Sequence, residues 1–254
     1  MPEFEGAPLL NPVVVIPARM ASTRLPGKPL ADIAGVPMVA RVWRAAVAAQ
    51  IGPVVVAAGD EEIAAVVRAA GATTVTTDPA LPSGTDRVFA AVQRFDPDGA
   101  HDVVINLQGD LPLLDPSNLR VVRDTLAESG ADIATLAAPI TDAADFENPN
   151  VVKPVMSWEH GKPYARGLYF SRSRVPSGAG DLYHHVGIYA FRRAALARFV
   201  SLPPTALEKR ENLEQLRALE DGMTIAVGIV GTPPLSVDTP ADLEKARAAA
   251  RLQQ

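Results

Sequence analysis

The chain has 254 residues, a formal net charge of −5 and 48% hydrophobic residues. This acidic balance excludes a general attraction to nucleic acid or to an anionic membrane, so any anion site has to be local. The chain has no cysteine, which excludes disulfide scaffolds, thiolate metal sites and cysteine nucleophiles. Residues 1–12 are unlike a secretory signal, and no apolar run approaches the ~20 residues of a membrane span. We therefore expect a cytoplasmic protein without membrane insertion.

Short apolar runs alternate with segments of helical period through the first half of the chain. This alternation predicts a doubly wound α/β fold, in which helices cover both faces of a mostly parallel sheet. Asp60 and Asp115 are expected to cap helices, with Pro116 at the first helical position after Asp115. The expected strands are 13–16, 53–59, 73–77 and 103–107, and the expected helices carry apolar stripes at 39–47, 63–70 and 88–95.

The pattern loosens after about residue 140, where strands and loops follow one another without clear helices. This change predicts a smaller antiparallel subregion at about 140–205 inside a single domain of residues 1–254. The α/β pattern then returns. The remaining expected elements are a helix at 207–219, a strand at 224–230 and a last helix started by Thr239, Pro240 and Asp242.

A cluster of positive charge follows the first predicted strand. Arg19, Arg24 and Lys28 lie within ten residues, together with the hydroxyls of Ser22 and Thr23. Such a loop can wrap a polyphosphate with backbone N–H groups and charge-assisted hydrogen bonds. The order of a P-loop is absent. A solvated basic loop is the alternative, and the density of cations favours anion binding.

Two acids, Asp110 and Asp238, come directly after predicted strands. Parallel strands would bring both carboxylates to the same edge of the sheet, where ligands of such folds bind. Two carboxylates beside phosphates suit Mg²⁺. Each acid taken alone is equally typical of a turn or of a helix start.

His184 and His185 are adjacent in a predicted strand, so at most one of them faces a given pocket. Neither has a partner at the spacing of metal ligands, which makes a zinc site unfavoured. A structural role is the main reading from spacing, with a polar contact to substrate as the alternative.

The predicted helix at 207–219 carries a stripe of hydrogen-bond acceptors. Their carboxylates and amide suit sugar hydroxyls, although most stripes of this kind are solvated helix faces. The stripe consists of Glu208, Glu211, Glu214 and Gln215.

The remaining motifs narrow the class of enzyme. A serine hydrolase is unsupported because no GxSxG elbow is present, and a dinucleotide dehydrogenase because GxGxxG is missing after the first strand. A polyphosphate loop, a carboxylate pair and a polar acceptor pocket together indicate nucleotidyl transfer.

Eight stretches between about residues 13 and 247 occur in the order typical of one family. On these stretches the chain resembles the 3-deoxy-manno-octulosonate (Kdo) cytidylyltransferases, or CMP-Kdo synthetases. The resemblance implies a fold of the nucleotide-diphospho-sugar transferase type. It also implies transfer of CMP from CTP to the anomeric hydroxyl of Kdo, with release of pyrophosphate, for lipopolysaccharide biosynthesis. The stretches are IPARMASTRLPGKPL, PSGTDRV, NLQGDLP, NPNVVK, LYFSRS, HHVGIYAFRR, LEQLRALEDGM and VDTPADLE.

The resemblance also implies roles for individual residues. Asp110 and Asp238 match the ligands of Mg²⁺, and the subregion at 140–205 matches the segment that forms a homodimer. Arg19 and Lys28 are expected to face the leaving pyrophosphate and to act in catalysis with the two aspartates. The implied nucleotide site consists of Arg19, Ser22, Arg24, Lys28 and Arg87. The implied sugar site consists of Gln108, Arg172, His185, Tyr189, Glu214 and Gln215.

The sequence departs from the pattern of the family at a few points. Leu111 stands where many relatives have glutamate, and Gly59 where threonine is usual. The residues before Val13 exceed what the family needs. Two alternatives stay open at this point: the same transfer to another acid sugar, such as sialic acid or an amino-substituted Kdo, and a catalytically silent protein that binds nucleotide sugars.

Overall fold

A nine-stranded mixed sheet forms the centre of the computed structural model, which describes residues 10–22 and 24–252. The predicted Thr23 hydroxyl and residues 1–9 lie outside the described residues. The strands of this sheet are β1 Pro12–Ala18, β4 Val54–Ala58, β5 Thr73–Thr76, β6 Val103–Leu107, β7 Ile133–Pro139, β8 Lys153–Trp158, β9 Tyr164–Ser171, β10 Tyr183–Arg192 and β11 Ile225–Ile229, and β2 Asp32–Ile33 and β3 Val36–Pro37 form a separate hairpin. The helices are α1 Met38–Ala48, α2 Glu61–Ala69, α3 Gly84–Phe95, α4 Ser117–Ser129, α5 Arg193–Ser201, α6 Ala206–Glu211, α7 Leu216–Glu220 and α8 Pro240–Arg251.

The sheet has the order β5-β4-β1-β6-β10-β7-β11-β9-β8. Its first four strands are parallel, and β10 lies between β6 and β7 and is antiparallel to both. Of the nine strands described, only β9 and β10 run against the common direction. The predicted mostly parallel α/β fold is therefore confirmed.

Helices cover both faces of the sheet because consecutive residues of its buried strands point to opposite sides. Val14 and Ile16 of β1 pack with α1, α2 and α4, whereas Val13 and Val15 pack with α3, α5 and α7. One strand thus serves two cores. Within the described residues, no helix is long and apolar enough to cross a bilayer.

The antiparallel strands of residues 140–205 belong to the main sheet. β10 pairs along both of its edges, and β8 and β9 extend the far side of the sheet beyond β11. The predicted antiparallel pairing is correct, although among the described residues these strands share one sheet with the parallel part. The site can therefore draw on both parts.

The helix expected at 207–219 is wrong. The chain forms α6 and α7 instead, separated at Asn212, whose φ of 53° places it in the left-handed region that asparagine tolerates. At the start of α6 the backbone N–H of Thr205 donates to the carboxylate of Glu208 at 3.0 Å. The helical period of the sequence continues across residues 212–215, which belong to neither helix.

Smaller boundary errors have local causes. Helix α4 begins at Ser117 with Pro116 as its N-cap, one residue later than expected, while the carboxylate of Asp115 accepts from the backbone N–H of Ser117 at 2.8 Å. Val47 was expected on the apolar face of α1 but is 46% exposed. Asp60 is the N-cap of α2 as predicted, yet its carboxylate makes no capping hydrogen bond there.

Candidate active site

The loop that follows β1 and carries the cations is held near both of its ends. The backbone N–H of Met20 donates to the carboxylate of Asp60 at 2.8 Å, which ties the loop to the end of β4. Gly27 takes a left-handed conformation with φ of 69° and leads into a 3-10 helix at Lys28–Leu30. Lys28 therefore begins a 3-10 turn.

Lys28 holds the two predicted metal ligands together. Its Nζ atom lies 2.8 Å from the carboxylate of Asp110 and 3.0 Å from that of Asp238. The backbone N–H of Val237 donates to the carbonyl of Asp110 at 3.0 Å, which joins the two segments directly. Arg24 reaches the same oxygen of Asp238 at 3.0 Å. The prediction that the two acids meet is correct.

The side chain of Lys28 is only 15% exposed. Burial disfavours its charge, but the charges and hydrogen bonds of Asp110 and Asp238 outweigh burial and raise the pKa of Lys28. Lys28 therefore carries a full positive charge at neutral pH.

A cavity of about 350 Å³ opens at this point, at the carboxyl ends of β1 and β6. Among the described residues, four cations and two carboxylates line it, together with the backbone of Gly84 and Gly109. This excess of positive charge suits a polyanion. The predicted residues that line the cavity are Arg19, Ser22, Arg24, Lys28, Arg87, Gln108, Asp110 and Asp238.

Arg87 is 2% exposed and its guanidinium is held by oxygen atoms of the loop after β5. It donates to the hydroxyl of Thr77 at 2.6 Å and to the carbonyl of Asp78 at 3.0 Å. Burial and the nearby charge of Arg19 lower the pKa of Arg87. A Cβ atom at Gly59 would lie 2.7 Å from Nη1 of Arg87, so the glycine that departs from the pattern of the family leaves room for this guanidinium.

The donor set at Asp110 and Asp238 fits a small divalent cation. The two carboxylates already share one cation, the ammonium of Lys28. No cluster of three or more acidic, histidine or cysteine side chains that could hold a metal occurs in the part of the chain that the structure describes. Two carboxylates with remaining positions for water and phosphate are what Mg²⁺ prefers. Leu111 is buried in the core, so the residue beside Asp110 adds no ligand.

Behind the cavity, two of the predicted sugar ligands, Glu214 and Gln108, are hydrogen-bonded to buried polar residues. Glu214 accepts a hydrogen bond of 2.7 Å from the hydroxyl of Thr85, and the amide of Gln108 donates to Asn106 at 3.0 Å. Gln215 is 5% exposed, and its Nε2 atom has no hydrogen-bond partner among the described residues. A buried amide without a partner is costly, which is typical of a group completed by a ligand.

His185 and Tyr189 lie on β10 beside these groups. Nε2 of His185 is 3.0 Å from the hydroxyl of Thr135, which also contacts the carbonyls of Val186 and Ile188 at 3.2 and 2.9 Å. A carbonyl can only accept, so the single hydroxyl proton goes to a carbonyl and the imidazole donates from Nε2. Burial, with a small contribution from His184, lowers the pKa of His185 to about 3. The imidazole is therefore neutral, with its lone pair on Nδ1.

Tyr189 packs against the ring of His185, with ring centroids 5.6 Å apart. Burial and the charge of Glu214 raise the pKa of Tyr189. Its phenol therefore stays protonated, and Glu214 lies near enough to influence it.

The rest of the predicted acceptor stripe does not form one surface. Glu208 pairs with Arg217, and Glu211 accepts from the hydroxyl of Ser171 at 2.9 Å and from the backbone N–H of Arg172 at 3.0 Å. The break at Asn212 separates both residues from Glu214. The expected common face is wrong because it requires a continuous helix.

Arg172 is not among the residues that line the cavity. Its guanidinium donates to the carbonyls of Glu211 at 2.8 Å, Pro149 at 3.0 Å and Asn212 at 3.3 Å. These bonds join the loop before β8, the end of β9 and the break after α6. Its contact with a sugar stays a prediction.

Sequence reasoning missed Thr85 and Asn106, which are buried polar residues next to the site. One local signal was available: Ser83 caps α3, accepting from the backbone N–H of Asp86 at 3.1 Å and donating to its carboxylate at 2.7 Å. The spacing of Ser83 and Asp86 is that of a capping box, which places Thr85 in the first turn of a helix. Asn106 lies inside an apolar run, where its partners could not be read.

Comparisons with known proteins agree with this geometry. Residues 13–225 match the family model described as cytidylyltransferase. The chain is 62% identical to a 3-deoxy-manno-octulosonate cytidylyltransferase of Parvibaculum lavamentivorans, covering 94% of this chain and 92% of that protein. It is 60% identical to the protein of the same name from Rhodospirillum rubrum, covering 93% and 94%.

Solved structures show the same fold. A CMP:2-keto-3-deoxy-manno-octonic acid synthetase complexed with CTP superposes with a TM-score of 0.88 at 37% identity, covering 96% of this chain and 100% of that chain. A nucleotidyl transferase from Methanothermobacter, at 14% identity and a TM-score of 0.64 over 96% of this chain and 99% of that chain, shares the fold. The chain belongs to the cytidylyltransferase family, and within it to the 3-deoxy-manno-octulosonate cytidylyltransferases.

Proposed function

We propose that this protein transfers the cytidylyl group of CTP to the anomeric hydroxyl of Kdo, for lipopolysaccharide biosynthesis. The observation that carries the proposal is the cavity in which the cations of the β1 loop meet Asp110 and Asp238. The anomeric oxygen forms a bond to the α-phosphorus, and the bond from that phosphorus to pyrophosphate breaks. The products are CMP-Kdo and pyrophosphate, with the hydroxyl proton released to solvent.

The cations of the loop differ in how far their side chains are exposed to solvent. The side chain of Arg24 is 64% exposed, whereas that of Lys28 is 15% exposed and held on its turn. Lys28 and Arg19 would neutralise charge on the leaving pyrophosphate, since catalysis of phosphoryl-type transfer depends on positioning and on neutralisation of charge. Arg24 would bind the outer phosphates. We assign no side chain as general base.

Asp110 and Asp238 would hold Mg²⁺ in this reaction. When bound, Mg²⁺ supplies a positive charge that polarises the α-phosphate and lowers the pKa of a coordinated hydroxyl. The two carboxylates would supply the negative charge that holds such a cation, and the backbone hydrogen bond from Val237 to Asp110 joins the two segments that carry them.

The acceptor groups behind the cavity would bind the sugar. Gln108 lines the cavity. His185 and Tyr189 lie on β10, and Glu214 and Gln215 directly precede α7. Carboxylate, amide and imidazole acceptors suit the hydroxyls of an acid sugar. Arg172 would act from the edge of this region.

We also propose that the protein forms a homodimer through residues 140–205. Trp158 and Leu168, on the outer strands β8 and β9, are each 50% exposed. Large exposed apolar side chains on an outer strand are typical of interaction surfaces. Light scattering would give twice the mass of one chain, and Trp158→Glu would halve it; a monomeric wild type would contradict the proposal.

The transfer reaction has a direct test. Purified protein is mixed with CTP, Mg²⁺ and Kdo, and pyrophosphate release is followed. We expect release only when all three are present, and less with sialic acid or an amino-substituted Kdo. Faster release with another acid sugar would reassign the substrate. CTP binding without release would indicate a silent binding protein.

A further inference from the structure

Four polar side chains form an unbroken relay from the cavity into the protein. Gln108 donates through Nε2 to Oδ1 of Asn106 at 3.0 Å, and Asn106 donates through Nδ2 to the hydroxyl of Thr85 at 3.3 Å. Thr85 then donates to the carboxylate of Glu214 at 2.7 Å. The relay joins β6, α3 and the segment before α7, which are distant in sequence.

Burial isolates the middle of this relay from water. Asn106 is 0% exposed and Thr85 is 4% exposed. Asn106 lies on β6 and Gln108 follows directly after the end of that strand, and Tyr189 of β10 is paired with Asn106 across the sheet. Buried polar groups need their partners, so the bond between Asn106 and Thr85 cannot be exchanged for water at low cost.

The charge of Glu214 fixes the direction of every bond. An ionised carboxylate only accepts hydrogen bonds, so the hydroxyl of Thr85 has to donate its single proton to Glu214. The oxygen of Thr85 can then only accept, which forces Asn106 to present its NH₂ group to Thr85 and its carbonyl oxygen to Gln108. Gln108 in turn has to present its NH₂ group to Asn106.

The amide of Gln108 is consequently held in one of its two orientations. Within the part of the chain that the structure describes, its Oε1 atom has no hydrogen-bond partner, and a Cβ atom placed on Gly84, in the wall of the cavity, would lie 3.5 Å from that oxygen. Without the relay, a half-turn of the amide would exchange an acceptor for a donor at nearly the same position.

We propose that Thr85 is a positioning residue that, with Asn106, transmits the charge of Glu214 to Gln108 and thereby presents acceptor oxygens to the substrate. The inference rests on the proposed function, because the group recognised is a hydroxyl of the acceptor sugar. Gln108 and Glu214 both offer oxygen acceptors, so the relay favours a substrate that donates from two hydroxyls. A substrate with only acceptors at those positions is disfavoured.

The test compares Thr85→Val, which keeps the shape but removes the hydroxyl, with Thr85→Ser, which keeps the hydroxyl. Thr125→Val is the matched control, since Thr125 is a similarly buried helical threonine at 6% exposure, away from the cavity. For Thr85→Val we expect KM for Kdo to rise about tenfold, which corresponds to the loss of one hydrogen bond between Gln108 and the sugar, with KM for CTP changed less than about twofold. Thr85→Ser and Thr125→Val should stay near wild type.

Equal rises of both KM values, an unchanged KM for Kdo, or failure of Thr85→Ser to restore KM would overturn the relay. The side-chain amide signals of Asn106 and Gln108 in NMR spectra give a readout independent of turnover. They should shift in Thr85→Val and not in Thr125→Val, and unshifted signals would also overturn it. If wild type releases no pyrophosphate with Kdo, the proposed function fails, and these NMR signals still decide the relay.

Discussion

The loop after β1 and the segment around α6 and α7 both carry charged side chains but use them differently. In the loop, Arg24 and Lys28 converge with two acids on one open cavity. Around α6 and α7, Glu208 pairs with Arg217 and Glu211 accepts hydrogen bonds from Ser171 and Arg172, so both carboxylates are bound within the protein. Glu214 is half-buried. Charge at the ends of parallel strands is thus displayed, whereas charge on the broken helix mostly stabilises the fold.

This difference has a physical origin in the sheet. The carboxyl ends of β1 and β6 are adjacent because the strands are parallel, so polar residues that follow them meet at one edge. The antiparallel strands β9 and β10 and the break at Asn212 bring residues together from different levels of the fold. Only contacts in three dimensions then determine which acids remain available.

The largest expected effect is at the carboxylate pair. Asp110→Asn and Asp238→Asn should each lower kcat/KM about 10³-fold, roughly 4 kcal/mol, because each removes one of the two charges that would hold Mg²⁺. Pyrophosphate release measures the rate, and circular dichroism confirms the fold. Asp124→Asn, at a carboxylate 52% exposed, is the control and should be inert. A normal rate in either site variant would remove that residue from the metal site.

The next effect separates structural charge from displayed charge. Arg217 binds Glu208 at 2.6 and 2.9 Å, with side chains only 8% and 13% exposed, and lies over the ring of Phe199 at 4.9 Å. Arg217→Met should lower the free energy of unfolding by about 3 kcal/mol, because it leaves a buried carboxylate unpaired. Urea denaturation measures the change.

Arg247→Met is the matched control for that experiment. Arg247 pairs with Glu244 on the surface, with the carboxylate 69% exposed, and pairs of this kind contribute less than about 1 kcal/mol. A loss of the same size in both variants would show that Glu208 and Arg217 are not special.

A smaller effect on kcat/KM should distinguish the two cations Lys28 and Arg24 of the loop. Lys28→Met should lower kcat/KM about 10²-fold, the loss of one preorganised charge in a secluded position. Arg24→Met should cost less than about tenfold, since exposed charges are screened by water. Parallel measurements of pyrophosphate release give both ratios. The reverse order would mean that the exposed cation is the catalytic one.

The smallest effect concerns His185 and pH. The pKa of His185 falls from 6.5 to about 3 on folding, so the unfolded chain binds the proton more readily. The stabilisation from this group is complete above pH 6.5 and is lost as pH falls toward 3. Urea unfolding of wild type and His185→Gln should therefore show a shallower acid decline in the variant. Identical declines would mean that the imidazole is not buried as described.

The predictability of the site follows the same division. The residues after β1 and β6 were placed correctly from strand alternation alone, and their cavity contains every nucleotide and metal residue expected within the described chain. The sugar residues depended on the resemblance, because spacing alone favoured structural roles for His185 and for the acids near α6. Thr85 and Asn106 escaped because neither carries charge nor a recognisable spacing of its own.

By itself, the sequence determined the layered α/β fold, the cation loop and the meeting of Asp110 with Asp238. The fold and the cation loop follow from hydrophobic period and from the geometry of parallel strands, which are local or repeated rules. The meeting of the two acids was predicted on the same rule, but β10 and β7 lie between β6 and β11, and the hydrogen bond from Val237 to Asp110 joins the two segments. Tertiary structure decided the insertion of β10 between β6 and β7, the break at Asn212 and the partners of each buried acid. The physical reason is that the hydrogen-bond donors around a carboxylate determine whether it binds within the protein or stays available to a ligand. These donors come from distant parts of the chain: Thr85, which donates to Glu214, lies 129 residues from it.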